Sequence, residues 1–311
     1  MKTQKTIVGL GEVLWDIYPQ EKILGGATAN VALNCHRLGE KGVVVSGVGE
    51  DPLGDELIRR LRKDNLNTQY IQRLPDRSTG TVGVTLDERG IPHFRCSRDA
   101  AFDYLQISGD LENLILHSDA VVFGTLGQRN AISRKTIQHL ISIPSNTMKV
   151  FDVNFRGWSE SIAQIVGETL SHADVLKLNE RELNSLRQTF GMKSDNKKIF
   201  FESLMERYDL RLIALSLGEM GCIIMDRTEQ VVSPGYRVDV LDTTGCGDAF
   251  VAGLTVRYLE NVSLEETADF ANLMGGFLAT RNGATPAFSE EDLNRFRETH
   301  PDRSDISILS E

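Results

Sequence analysis

The sequence predicts an α/β fold, a doubly wound, mostly parallel sheet with helices on both faces, plus a small β-sheet lid. Three observations lead there. From about residue 110 onward, short apolar strand patterns alternate with longer helical ones, as in a parallel sheet covered by crossover helices. Those strands read as continuous apolar runs, which burial on both faces requires. By contrast, STGTVGVTLDERGIPHFRC at 78–96 alternates apolar and polar residues around Glu88-Arg89-Gly90, a hairpin pattern with one solvated face.

In chain order, TIVGLGEVLW at 6–15 reads as one buried strand punctuated by glycine. ATANVALNCHRL at 27–38 reads as a helix stopped by Gly39, and GVVVSGVG at 42–49 as the next strand. Asp51 and Pro52 suit the N-cap and first position of a helix through LGDELIRRLRKDNL. The extended stretch from Trp15 to Leu24 joins the 78–96 hairpin in the lid, which is expected over about 12–24 and 78–105. The alternation then runs DAVVFGTL, RNAISRKTIQHLIS, MKVFDVNF, ESIAQIVGETLSHA and DVLKLN. RLIALSLG at 211–218 adds a strand, GCIIMDRTEQVVS a hairpin, and AFVAGLTVRYLENV and SLEETADFANLMGGFLATRN two final helices. The chain is read as a single domain over 1–311 with no repeat or low-complexity linker.

Composition narrows the function. Of the 311 residues, 41% are hydrophobic and 25% charged, ordinary for a globular protein with a sizeable core. The polar start and the lack of any long apolar run predict a cytoplasmic protein with no membrane partner. A net charge of −10 argues against nucleic acid as a partner. Cys35, Cys96, Cys222 and Cys246 are widely spaced and form no CxxC pair, which suggests neither a zinc ribbon nor a redox motif and argues against a disulfide framework. An acidic chain that binds a nucleotide must do so locally, with backbone N–H groups, a metal ion and few cations.

The strongest chemical signal is VLDTTGCGDAFVAGL at 240–254. A tight turn from Thr243 to Gly247 leads into a helix, whose N-terminus offers free N–H groups and partial positive charge. Gly245, Cys246 and Gly247 make a nest for a transferring phosphoryl group, and Asp248 at its mouth suits a base for an attacking hydroxyl. Such a transfer depends mainly on positioning and charge stabilisation. The plainer reading, a helix N-terminal carboxylate, requires none of the flanking TTGxG.

At this turn the sequence resembles the ribokinase-like (PfkB) carbohydrate kinases, whose C-terminal signature is usually DTxGAGD. LGGATANVALNCHRLG (24–39), FDVNFR (151–156), KLNEREL (177–183), SLGEMGC (216–222) and FANLMGGFLATRNGATPAF (270–288) match further family elements in order, covering nearly the whole chain. The resemblance implies the ribokinase-like fold, with Mg²⁺ and ATP as cofactors. Asp16, Gly25, Gly26 and Asn30 match sugar-binding positions, although a plain turn and a helix-terminal amide also explain Gly25-Gly26 and Asn30. Asn179 and Glu182 match the NxxE element and would face one Mg²⁺-bound water or phosphate if both lie on a helix; a solvated face is the plain alternative. Ser216, Gly218, Glu219, Gly221, Gly247 and Asn272 match nucleotide-binding positions.

Arg156 reaches a phosphate or the sugar, or pairs with Asp152. Asp242 and Thr244, completed by main-chain oxygens of Leu278, Arg281, Gly283 and Ala287, match a monovalent-cation (K⁺) site that some members lack. Cys246 stands where alanine is usual, and at a helix N-terminus its thiol pKa is expected to fall, which would make the protein thiol-sensitive. The exposed lid strands offer pairing between two subunits, as in many family dimers.

Rival readings fail on residues. Gly9-Leu10-Gly11 follows the first strand, but position 14 is Leu14 where a dinucleotide fingerprint needs glycine, and no GxxxxGK[ST] P-loop occurs. A non-catalytic sugar or nucleotide sensor would be expected to lack Asp248. GEVLWD, RCSRDAAFDYL (95–105) and LGQRN (126–130) resemble fructokinases most, so the expected reaction is phosphorylation of D-fructose at a primary hydroxyl, giving fructose 6-phosphate. 2-Keto-3-deoxygluconate kinase is the alternative, and ribokinases and nucleoside kinases are less similar. Arg98 and Phe102 are the candidate lid residues facing the sugar, with a core role as the alternative for Phe102.

Overall fold

The computed structural model describes residues 3–86, 92–191 and 196–307. The expected hairpin tip, Glu88-Arg89-Gly90, lies outside them. The first apolar run does not stay one strand. Strand β1 (Thr6–Leu10) enters the large sheet, and after Gly11 the chain turns into β2 (Leu14–Ile17) of the lid sheet. The Gly11 N–H still bonds Val45 in the large sheet, whereas Trp15 N–H bonds Gly80 beside the lid. Strand β3 (Lys22–Gly25) returns antiparallel to β2 and leads into helix α1 (Ala27–Arg37). Strand β4 (Lys41–Gly49) follows, then helix α2 (Pro52–Lys63), capped by the Asp51 carboxylate on Gly54 N–H as expected. Strand β5 (Ile71–Leu74) was not expected from the sequence.

Strands β6 (Thr81–Leu86) and β7 (Pro92–Cys96) form the antiparallel hairpin, and β6 pairs in parallel with β2. The lid sheet therefore runs β3-β2-β6-β7. The chain then alternates helix α3 (Gly109–Leu116), β8 (Ala120–Gly124), α4 (Ala131–Ser142), β9 (Met148–Asp152), α5 (Glu160–Leu170), β10 (Val175–Asn179), α6 (Glu180–Thr189), α7 (Lys197–Tyr208) and β11 (Leu212–Ser216). The hairpin β12 (Gly221–Asp226) and β13 (Gln230–Pro234) ends the sheet, and helices α8 (Cys246–Leu259), α9 (Leu264–Ala279) and α10 (Glu290–Thr299) close the fold.

The nine-stranded sheet has the order β13-β12-β11-β10-β9-β8-β1-β4-β5, parallel except at the β12 and β13 edge. Side chains alternate across it. Val8, Leu10, Phe123, Phe151 and Leu178 pack with α4 to α7 on one face, while Ile7, Val122, Val150 and Val175 pack with α1, α8 and α9 on the other. Chain order reverses between β1 and β8, and in open α/β sheets the crevice at the carboxyl ends beside such a reversal is where ligands bind. The lid root is fastened there by Arg129, which ion-pairs with buried Asp103 and donates to Ser97 carbonyl and Cys96 Sγ.

Candidate active site

The turn expected to hold the phosphate forms at the start of α8. Gly245 is the N-cap of α8 with φ 76°, a left-handed conformation, and an added Cβ would come within 2.5 Å of Ala284 Cα. Both facts require glycine. Among the described residues the N–H groups of Gly245 and Gly247 meet no acceptor, whereas that of Cys246 turns back to Thr243 carbonyl at 3.3 Å. The third expected donor is thus engaged within the turn. Cys246 also departs from expectation in its acidity. Burial, followed by the Asp242 and Asp248 charges, pushes the thiol up to about 12, outweighing the helix terminus.

Asp248 lies in the first turn of α8, buried, with Oδ2 accepting a 2.8 Å hydrogen bond from Asn30 Nδ2. Asn30 stands in the first turn of α1, so the two helix N-termini meet through this bond, and its Oδ1 is buried without a partner. Burial, reinforced by the Asp152 charge, lifts the Asp248 carboxyl to about 7, against the lowering influence of Asn30, Lys177 and Arg156. A carboxylate poised near neutrality is suited to proton transfer.

Across from it, Asp16 sits on β2 opposite Ile23, and its Oδ2 lies 2.3 Å from where a Cβ on Gly25 would fall. Glycine at 25 therefore leaves the carboxylate its room. Gly26 precedes α1 and its carbonyl takes the Asn30 N–H at 2.8 Å. Burial raises the Asp16 carboxyl to about 6, with Arg156 opposing and Asp242 adding to the rise. Arg156 is exposed and makes no hydrogen bond or ion pair among the described residues, yet its charge acts on Glu12, Asp16 and Asp248. Its alternative partner, Asp152, instead binds Lys177 at 3.0 Å.

Two buried charged residues beside the candidate site, Lys177 and Glu12, escaped the sequence reading. Lys177 is buried in β10, and its Nζ lies 3.5 Å from where a Cβ on Gly247 would stand, next to the nest. Burial works against its charge, but Asp152 and then Glu182 hold its pKa above the ordinary value. A lysine inside the apolar strand VLKLN was the available signal. Glu12 is fully buried, with one carboxylate oxygen on Ala27 N–H at the start of α1 and the other unpartnered. It lines a cavity of about 10 Å³ with Thr125, Asn154 and Arg156, room for about one water.

Asn179 and Glu182 are not two residues on one helix face. Asn179 ends β10 as the N-cap of α6, and the pair forms a reciprocal capping box, with Asn179 Oδ1 on Glu182 N–H and Glu182 Oε2 on Asn179 N–H. Burial raises the Glu182 pKa against the pull of Lys177. Phe102 is also not a sugar-facing lid residue. It is 1% exposed in a 3₁₀ turn, packed with Leu14 and Ala100 and stacked by Arg129 at 4.7 Å. Arg98 is exposed after β7 and has no hydrogen bond or ion pair to Asp16, Arg156 or Asp248 among the described residues.

On the other side of the nest, Ser216, Gly218, Glu219, Gly221, Cys246, Gly247 and Asn272 line one cavity of about 790 Å³, a size that suits a nucleotide. Asn272 Nδ2 is tied to Ser233 carbonyl at 3.0 Å. Asp242 joins two loops, accepting from Thr244 N–H at 2.8 Å and Gly283 N–H at 2.9 Å. Burial opposes its charge, but those backbone donors hold its pKa below the usual range. Of the residues expected to hold a cation, Asp242, Thr244 and Gly283 meet, but through the N–H groups of Thr244 and Gly283 on the Asp242 carboxylate rather than through main-chain oxygens. The Leu278 carbonyl already accepts the Arg281 N–H as α9 ends, and the Arg281 side chain stacks over Phe277. Among the described residues no cluster of three or more His, Cys, Asp or Glu forms a metal centre.

Comparison with known proteins points one way. The family model described as "pfkB family carbohydrate kinase" matches residues 17–291. A sugar kinase of Pyrococcus horikoshii is 32% identical over 293 residues, covering 92% of this chain and 90% of that protein. The crystal structure of an uncharacterized sugar kinase from that organism in complex with ATP superposes with a TM-score of 0.78 at 30% identity, covering 94% and 98%. The fructokinase of Vibrio cholerae O395, bound to fructose, ADP and calcium, gives a TM-score of 0.79 at 25% identity, covering 94% and 99%. The fructokinase of Salmonella typhimurium is 29% identical over 307 residues, covering 92% and 97%.

Proposed function

The chain belongs to the pfkB family of carbohydrate kinases, and from that premise we propose that it transfers the γ-phosphoryl group of Mg²⁺-ATP to the primary hydroxyl of D-fructose. The observation that carries the reading is the Asn30–Asp248 hydrogen bond at the mouth of the nest. The bond would, in this reading, orient a carboxylate of near-neutral pKa toward the hydroxyl to be phosphorylated. In this reading Asp16 and Asn30 Oδ1 hold sugar hydroxyls, and Asp248 accepts the proton of the attacking one. The N–H groups of Gly245 and Gly247, with Lys177 beside them, stabilise charge on the phosphoryl oxygens. Mg²⁺ would neutralise the ATP phosphates. Glu182 and Asp152, both buried and both acting on Lys177 beside the turn, are the carboxylates that would order its waters. A monovalent cation at Asp242, Thr244 and Gly283 would tighten the turn without entering the chemistry. Closing the lid over the sugar would exclude water and limit ATP hydrolysis.

The fructokinase relatives favour fructose. One observation favours 2-keto-3-deoxygluconate instead: the unpaired Arg156 guanidinium among three acids suits a substrate carboxylate. ADP release by purified protein with Mg²⁺, K⁺ and ATP, tested against fructose, 2-keto-3-deoxygluconate, ribose, tagatose and nucleosides, decides between them. Turnover is expected with fructose. Turnover confined to the sugar acid would replace the fructose reading.

A further inference from the structure

The cavity that collects the nucleotide-matching residues has a wall that no sequence motif marks. Ser304 and Asp305, from the segment after α10, line it together with Glu219, Gly235 and Tyr236. This segment is held in place by specific bonds. Arg303 stacks its guanidinium on the Tyr236 ring at 3.3 Å, ion-pairs with Asp269 of α9 at 2.7 Å and donates to Pro234 carbonyl at 3.3 Å. Ser304 N–H bonds Gly235 carbonyl at 3.0 Å, and Ser304 Oγ donates to Glu219 carbonyl at 2.7 Å. Arg237 N–H bonds Asp302 carbonyl at 3.1 Å. A guanidinium that both stacks and ion-pairs is among the firmer side-chain anchors available to a surface segment.

These bonds reach the 218–221 turn and the end of β13, not the 243–247 phosphate turn. A nucleotide with its terminal phosphate at Gly245 and Gly247 would share one cavity with Ser304 and Asp305. We propose that residues 302–307 form a wall of the nucleoside pocket, with Arg303 as the positioning residue and Asp305 contacting hydrogen-bond donors of the base or ribose. Asp305 Oδ1 accepts Ser307 N–H at 2.9 Å, and a carboxylate has acceptor sites beyond that one bond. The proposal rests on reading this cavity as the ATP site.

The test separates nucleoside from phosphate recognition. Binding of Mg²⁺-ADP and of Mg²⁺-tripolyphosphate is measured by calorimetry for the wild type, a chain ending at His300, Arg303→Ala and Asp305→Ala. ADP affinity is expected to fall about tenfold or more in the truncated chain and about threefold to tenfold in the point variants, with tripolyphosphate binding unchanged within about twofold. Melting temperatures without ligand check folding, and the point variants carry the test if the truncated chain unfolds. Equal ADP affinities in wild type and folded variants, or losses of ADP and tripolyphosphate binding that run in parallel, overturn the proposal alone. A wild type that binds neither probe overturns the kinase reading with it.

Discussion

In the proposed reading, the groups that would hold the phosphate at the amino end of α8 are backbone amides of one short turn. On the side of Asp248 proposed to take the sugar, the polar groups come instead from β2, α1 and the loop after β9, as the side chains of Asp16, Asn30 and Arg156. The two ends should therefore respond to mutation in opposite ways. Backbone geometry makes the phosphate end tolerant of side-chain identity and intolerant of backbone strain. The sugar end, made of converging side chains, is sensitive to single-atom changes and can be retuned without altering the fold. Asp248 belongs to both, and its environment reflects that, with burial lifting its pKa and Asn30 bringing it partway down.

The largest effect is expected where the two ends meet. Asp248→Asn should lower turnover by about a hundredfold to ten-thousandfold while leaving Mg²⁺-ADP binding within about twofold. The same change should raise stability. A carboxyl held near 7 in the fold and near its ordinary value when unfolded makes the ionised fold less stable as pH rises through that window. The variant should therefore melt higher at pH 8, by roughly 2–6 °C, with the difference shrinking toward pH 4. Near-normal turnover would remove Asp248 as the base.

The contrast between backbone and side chain is sharpened by a matched pair of variants. Gly245→Ala forces a side chain into a left-handed conformation and against Ala284, and should cost about 1–3 kcal/mol of stability and most of the activity with every sugar. Cys246→Ala changes only a thiol held at about 12, so turnover within about twofold and no protection from thiol-modifying reagents are expected. If Cys246→Ala is the more damaging of the two in activity assays, the backbone account of the nest fails.

A more modest loss is the most diagnostic of the proposed sugar side. Asn30→Ala removes a hydrogen bond that lowers the Asp248 pKa, so the acid limb of the kcat profile should move to higher pH. Turnover at pH 6 should fall by about tenfold and recover partly at pH 8.5. An unshifted limb accompanied only by a higher KM for the sugar would reduce Asn30 to a substrate contact.

The turn and helix start at 243–248 were legible because they lie in one contiguous stretch. The Asp51 cap on α2 and the glycine stop after α1 were read for the same reason, since each is decided within a few residues. What failed depends on where elements end or on distant partners. The 6–15 run looks like one strand, and only the pairing of Trp15 with Gly80 reveals that it serves two sheets. The NxxE spacing does not say that Asn179 is still the last residue of a strand, which is what converts a shared face into a capping box. Phe102 has the chemistry of a sugar-stacking ring, and its burial follows from Gly80 and Arg129, residues far from it in sequence. Neither the Lys177–Asp152 pair nor the Arg303 anchor carries any local signature of its partner.

The split of the first apolar run also sets the length of a leash. Only Gly11, Glu12 and Val13 join β1 to β2, and three residues reach about 10 Å at full extension. Glu12, in the middle of that span, is held by the Ala27 amide at the start of α1. With this end so short, Arg129 gripping the other root, and Trp15 and Leu24 packed in one core with Leu33 and Leu57, any opening of the lid sheet would have to be a rotation about its base. Cargo would then enter and leave past the free rim, on the side away from both hinges.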